Sequence, residues 1–459
     1  MKHRNLKKLI YISLVSLILA SCGDSTSNVN FAVGDDLSSI EDVEFDYDNA
    51  FFDDFSNGVS KENWYIGKQA WGGSNGGVIP QNVHYTDDGV LVLTGNGKYY
   101  TDNDVRGVGD IKDGRYTGAA LISKFLVKPG RYEIRMKVLP RQGACTAFWT
   151  FAYELNGGLN HEIDIELPGG NKSQSVTFSN LLNTNYITEQ RSQSQDTNTA
   201  SIFDQEIFFN DGEWHTFGFD WYTEPEMVVY YVDGKICAIS DIFVPSLQSR
   251  LWLGCWFPVT SAFVGTAEFE KDNMYVDYVK YIPFKNQYYR PYSPSVSGVA
   301  LDSEYPSEPI SIETQNKISN GGFEKLTMQD SKAWTFAKYL SEDKEIEEVI
   351  SLSNIGYDDS TAVSIRDGGI IYQTIDSTYS GFKYDFSILA KGRGRVTIRY
   401  YGAMLTDVLG TETINVDNDD LESFTKELTA PTNCRSIRIS IDTSVGNEIT
   451  VDNAILNQK

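Results

Sequence analysis

From residue 49 to about residue 284 the chain alternates apolar and polar positions in short runs broken by Gly, Asn and Asp. Residues 89–94, Gly-Val-Leu-Val-Leu-Thr, form one such run. Residues 131–138 form another, with Tyr132, Ile134, Met136 and Val138 on one face of an extended chain and the charged residues on the other. Residues 214–221 and 227–232 repeat the pattern, and Asp233-Gly234 closes the second with a tight turn. Convincing helical periodicity is almost absent. A period of two over many short strands predicts an all-β fold, with sheets packed face to face as a β-sandwich.

The pattern lapses over 285–317, which holds Pro291, Pro294, Pro306 and Pro309 and several serines, so this stretch is expected to be a linker or strap. Alternation resumes over 318–459, for example at 395–401 and 449–456. About 140 residues suffice to bury a core, so a second, smaller β-sandwich domain is expected there. No internal repeat relates the two units.

The first residues follow different rules. Residues 1–8 are basic, and 9–20 are an apolar run too short to span a bilayer permanently. Leu19-Ala20-Ser21-Cys22 resembles the lipobox of bacterial lipoproteins. That resemblance implies a signal peptide at 1–21, acylation of Cys22, a polar tether over 22–48 and a place in the bacterial cell envelope. The protein would be lipid-anchored at the outer membrane, facing the periplasm or the surface. Acyl chains bury about 0.8 kcal/mol per methylene, enough to hold the protein on a membrane. An ordinary signal peptide with Cys22 incidental is the alternative.

The formal net charge is −24, and Lys2, Arg4, Lys7 and Lys8 would leave with the signal peptide, giving −28 (−24 − 4). So acidic a body repels phosphate backbones, and no nucleic-acid partner is expected. Cys145, Cys237, Cys255 and Cys434 fit no zinc spacing. They are expected as buried thiols, with one disulfide as the alternative.

The chemistry concentrates in His161-Glu162-Ile163-Asp164-Ile165-Glu166. On a strand, Glu162, Asp164 and Glu166 share one face while Ile163 and Ile165 take the other. Carboxylates placed together repel each other, so stability gives no reason for the arrangement. A glycosidase does need it: one acid must hold a proton for the leaving oxygen while its neighbour, ionised, attacks the anomeric carbon. A solvated acidic face or a metal-binding set would share the pattern. His161 should point away from the acids and pack.

This segment resembles the signature of family 16 glycoside hydrolases, which runs Glu, apolar, Asp, apolar, Glu. The resemblance extends over 49–284 through the 130–137 strand, Phe148-Trp149, residues 213–217, the 228–232 strand with its turn, and residues 274–279. It implies a β-jelly-roll catalytic domain that works by retention and acts mostly in endo fashion. Carried onto this chain, it makes Glu162 the nucleophile, Asp164 its helper and Glu166 the general acid/base. The motif lacks an extra residue before its last Glu, as in lichenase-like members. The implied substrate is therefore a β-1,3- or mixed β-1,3/1,4-glucan, and an endo-β-galactosidase is the runner-up. A non-catalytic surface glycan-binding protein is the reading from another class.

Trp71, Trp149, Trp252 and Trp256 are expected on or near the concave face as sugar platforms, with core packing as the alternative for each. Arg106 and Arg115, in loops, are candidates for contacts with hydroxyls. No cofactor is required; Asp277 matches a position that binds structural calcium in some relatives, and an ordinary solvated Asp fits equally. Residues 318–459 resemble family 4-like carbohydrate-binding modules through Asn320-Gly321-Gly322-Phe323-Glu324, Trp334 and Val451-Asp452-Asn453. Trp334, Tyr372, Tyr400 and Tyr401 are its candidate stacking rings, and a purely structural module is the alternative.

Overall fold

The computed structural model describes residues 43–459 except 72–73, 75, 101–106, 109–115, 155–158, 170–174, 184–194, 199–207, 260, 313, 331–332, 340–342 and 358–359. The expected signal peptide, Cys22 and most of the tether lie outside the described residues. Among those described, no helix is long and apolar enough to cross a membrane.

Two antiparallel sheets form the first sandwich. One runs, in spatial order, Gln195–Asn198, Ser175–Asn183, Leu159–Pro168, Cys145–Glu154, Arg250–Trp256, Ala119–Ser123 and Trp64–Ile66. The other runs Lys235–Ser240, Glu226–Val232, His215–Thr223, Gly130–Lys137, Lys271–Pro283, Leu91–Asn96 and Val83–Tyr85, with Phe51–Asp53 paired to Lys271–Pro283. Their facing sides supply one core. Tyr132, Ile134 and Met136 enter it from the second sheet, and Phe148, Ile163, Ile165 and Leu253 from the first.

The charged face of the 130–137 strand is not solvated as its alternation suggests. Arg131 and Glu133 are buried, Arg131 holding Asp220 through two bonds of 2.7 and 2.8 Å. Glu133 is held by Tyr278 and Lys280, and the cover over Arg131 comes from the segment before the expected domain boundary. Val43 and Phe45 pack on Tyr222, Met227, Val229 and Phe284, and the Arg131 guanidinium lies over the Phe45 ring. Residues 43–48 therefore belong to the sandwich and not to a free tether.

The proline-rich stretch is a strap laid along the same body. Arg290 takes Glu154 with two bonds of 3.0 and 3.1 Å, and Tyr292 donates to the Tyr153 carbonyl. Further on, Ala300 N–H donates to Ile66 and the Tyr305 hydroxyl to the Trp64 carbonyl. Prolines stop the strap from becoming a strand, and side chains tie it down instead.

Residues beyond the strap form a second β assembly with its own core. Its strands run in the order Thr335–Lys338, Gly369–Asp376, Ser436–Asp442, Lys383–Tyr401, Glu448–Gln458, Ala362–Arg366 and Ile350–Ser353. The long strand Val408–Thr429 pairs with Lys383–Tyr401. The two assemblies meet through specific contacts. Phe208 stacks on Tyr379 at 3.9 Å, and Glu270 accepts the Asn320 N–H and pairs with Lys325. Arg141 bonds Asp272 at 2.7 Å and the carbonyls of Asn316 and Lys317. All four described cysteines are free thiols, three buried and Cys237 partly so.

The Arg141 contact makes a stability prediction. Burial works to raise the Asp272 carboxyl, but Lys317 and Arg141 outweigh it and hold the group below its ordinary value. The same burial pushes Lys317 down to about 8 despite the pull of Asp272. Arg141→Ala leaves a buried carboxylate with Lys317 as its one cationic partner and should destabilise the protein by roughly 3–5 kcal/mol, read as a lower urea midpoint at pH 7. A depressed acid gives stability that is present above its ordinary range and lost as pH falls through its folded value. The penalty should therefore shrink in strong acid; an unchanged midpoint at pH 7 would show that the pair contributes nothing.

Candidate active site

The strand Leu159–Pro168 lies between Cys145–Glu154 and Ser175–Asn183. Ile163, Ile165 and Leu167 are fully buried in the core. Alternation therefore sends Glu162, Asp164 and Glu166 to the open face of the sheet. Their register neighbours there are Phe151 and Leu181 for Glu162, Trp149 and Ser179 for Asp164, and Ala147 and Thr177 for Glu166. Four residues of strand separate the outer Cα atoms by about 13 Å.

Electrostatics divides the three acids into roles. Burial, then the charges of Glu162 and Glu166, push Asp164 well above the usual carboxylate range, although the Ser179 hydroxyl donates to it at 3.2 Å. A hydrogen bond to Glu162 favours the same protonated form. Asp164 is therefore the acid of the row whose surroundings most favour the protonated form beside Glu162. Glu166 is pushed up to about 7 by burial, against a weak bond of 3.9 Å from the Cys145 thiol. A carboxyl raised toward neutral pH suits a group that must both give and take a proton.

His161 faces inward as its parity requires. Its Nε2 lies 3.4 Å from Glu154 and 3.2 Å from Arg290. Burial and the Arg290 charge push it down to about 4, so it is neutral and packs behind the acids.

The expected aromatics lie on this face. Trp149 stands opposite Asp164, and Trp252 stands opposite Trp149 on the next strand, their rings stacked at 5.4 Å. Phe151 meets Trp252 edge-on. Trp256, opposite Cys145, lies one row further out on the Glu166 flank, with the Trp71 ring 5.4 Å away. All four tryptophans are partly exposed. Arg106 and Arg115 lie outside the described residues.

The remaining candidates lie away from this face. Asp277 belongs to the opposite sheet and its carboxylate takes the Arg135 guanidinium. Among the described residues no group of three or more His, Cys, Asp or Glu is placed to hold a metal ion. In the second assembly Trp334 is core: it is 2% exposed, packs on Phe323 and donates to the Asn320 carbonyl. Tyr400 and Tyr401 are each 3% exposed, and Tyr372 lies under the Arg438 guanidinium.

Sequence reasoning missed Cys145, Ser179 and Arg290. Counting strand parity from Trp149 would have put Cys145 on the acid face. Arg290 carries no local signal, because its partners are more than a hundred residues away.

Residues 80–241, which contain all three acids, match the family model described as Glycosyl hydrolases family 16. A xylanase/beta-glucanase of Ruminococcus flavefaciens is 26% identical over 200 residues, which are 42% of this chain and 22% of that protein. The chain therefore spans well under two thirds of that relative. A beta-glucanase of Bacillus amyloliquefaciens is 24% identical over 256 residues, 55% of this chain and 87% of the relative. Among solved structures, the laminarinase catalytic domain of Thermotoga maritima has a TM-score of 0.41 at 20% identity, covering 54% of this chain and 100% of that one.

Proposed function

We propose that the family 16 glycoside hydrolase domain of this chain cuts internal β-glycosidic bonds of a polysaccharide with retention, on a β-1,3- or mixed β-1,3/1,4-glucan. The observation that carries this is the row of acids on an open, tryptophan-lined face, with Glu166 raised to about 7 and Asp164, pushed above the ordinary carboxylate range, between it and Glu162. The Glu162 carboxylate attacks the anomeric carbon as Glu166 gives its proton to the departing oxygen. A glycosyl ester on Glu162 results. Water then enters, Glu166 takes its proton, and the water oxygen displaces Glu162 from the same carbon.

Reducing-end release from a panel of polysaccharides tests this, with the first product examined by NMR. Cleavage of β-glucans to a product that is initially the β-anomer is the expected result. Release from galactans but not glucans would install an endo-β-galactosidase, and no release from any glycan would favour a surface glycan-binding protein.

Two further readings belong to the same proposal. The second sandwich acts as an accessory module that holds the polysaccharide, which retention of the Glu162→Gln protein on insoluble glucan would measure. Cys22 carries the lipid anchor at the cell envelope, supported by the lipobox-like text; absence of labelled-palmitate incorporation would refute it.

A further inference from the structure

The cleft has a side pocket that the three acids do not use. It encloses about 150 Å³ on the Glu162 flank of the open face. Its floor is Phe151, the register neighbour of Glu162, together with Tyr153, Arg250 and Trp252. Its outer wall is the strap, residues 294–297, and Gln69 stands at its rim. The row that crosses the sheet from Asp164 runs through Trp149 and Trp252. The pocket opens beside that row, displaced toward Glu162, so it flanks a chain laid across the strands and does not continue its path.

The wall is built to stay. Arg290 and Tyr292 fasten the strap before the pocket, through Glu154 and the Tyr153 carbonyl. Beyond it, Lys68 N–H donates to the Gly298 carbonyl at 2.7 Å. Gly298 has φ +66°, and a Cβ there would lie 2.5 Å from the Gln69 side chain, so only glycine lets the strap approach so closely. The one cation in the lining, Arg250, has its Nε and Nη1 committed. It donates to the carbonyls of Ser123 and Lys124 at 2.9 and 2.8 Å and, more weakly, to that of Pro294. What remains for a ligand is the Arg250 Nη2 with a set of neutral hydroxyls and an amide beside aromatic surface, and no carboxylate, in a space of about one sugar ring.

Resting on the glucanase reading, we propose that this pocket receives a single neutral sugar branching from the backbone. The preferred substrate is then a side-chain-bearing β-glucan. The strap, rather than the acid strand, supplies the selectivity.

The test compares kcat/KM on a linear β-1,3-glucan with that on the same backbone bearing single β-1,6-linked glucosyl branches. The wild-type protein should favour the branched polymer. Ser295→Trp, at an exposed strap position, should fill the pocket and lower the branched-to-linear ratio by about 10-fold, leaving the linear rate within about twofold. Ser297→Tyr should act in the same direction. A ratio unchanged by both substitutions overturns the proposal, as does preference for a sulfated backbone over the neutral branched one. If neither glucan is cut, the glucanase reading fails. The pocket is then decided by binding to the Glu162→Gln protein, where branched oligosaccharides that bind no tighter than linear ones refute it.

Discussion

Glu162→Gln is expected to lower kcat on the preferred glucan by on the order of 10⁴-fold or more, with KM little changed. Gln is nearly isosteric, so the strand and its packing persist. What is lost is the electron pair that forms the bond to the anomeric carbon. A second substitution separates this role from mere positioning. In Glu162→Ala the missing carboxylate leaves room for azide on the face it occupied. An activated aryl β-glycoside should then be turned over again in azide, giving the α-glycosyl azide. A β-azide would instead mean that Glu162 is the acid/base and that the two glutamates have been assigned the wrong way round. An unaltered kcat for Glu162→Gln would remove this residue from the chemistry altogether.

The acid row is legible in the sequence because strand parity is unforgiving. With Ile163 and Ile165 in the core, a slip of one residue would bury three carboxylates against hydrocarbon. The same rule predicts the core face of the 130–137 strand and the inward turn of His161. It fails on the opposite face of that strand, where Arg131 is covered by the Phe45 ring and Glu133 is buried with Tyr278 and Lys280. Parity says which residues share a side; it does not say whether a distant segment will lie over that side. The rings of the second assembly escape it for this reason. Tyr400 and Tyr401 point to opposite faces, yet both are buried. The long strand Val408–Thr429 folds alongside, and Glu412 takes the Tyr400 hydroxyl at 2.7 Å. The strap is recognisable as irregular from its prolines. Its fastening by Arg290 is not, since an ion pair to Glu154 across 136 residues leaves no local trace.

Glu166→Gln should reveal a group kept at a cost to stability for the sake of catalysis. In the wild type the first step needs Glu166 protonated, so kcat/KM should fall as pH rises through about 7. Gln has no proton to give. The substitution should cost about 10²–10⁴-fold on polysaccharide, and the fall near pH 7 should vanish with it. An aryl glycoside whose leaving group departs without a proton should lose far less in its first step, which an equal loss on both substrates would contradict. Stability should move the other way. Glu166 ionises at about 7 when folded, against 4.5 for the unperturbed group. The folded state is therefore unpenalised below 4.5, loses stability progressively between the two values, and carries the full penalty above 7. At about 1.4 kcal/mol per unit, Glu166→Gln should gain up to roughly 3 kcal/mol at pH 8 and nothing at pH 4. A gain that is the same at both pH values would mean that the substitution acts through packing, and that the carboxyl is not held protonated by its surroundings.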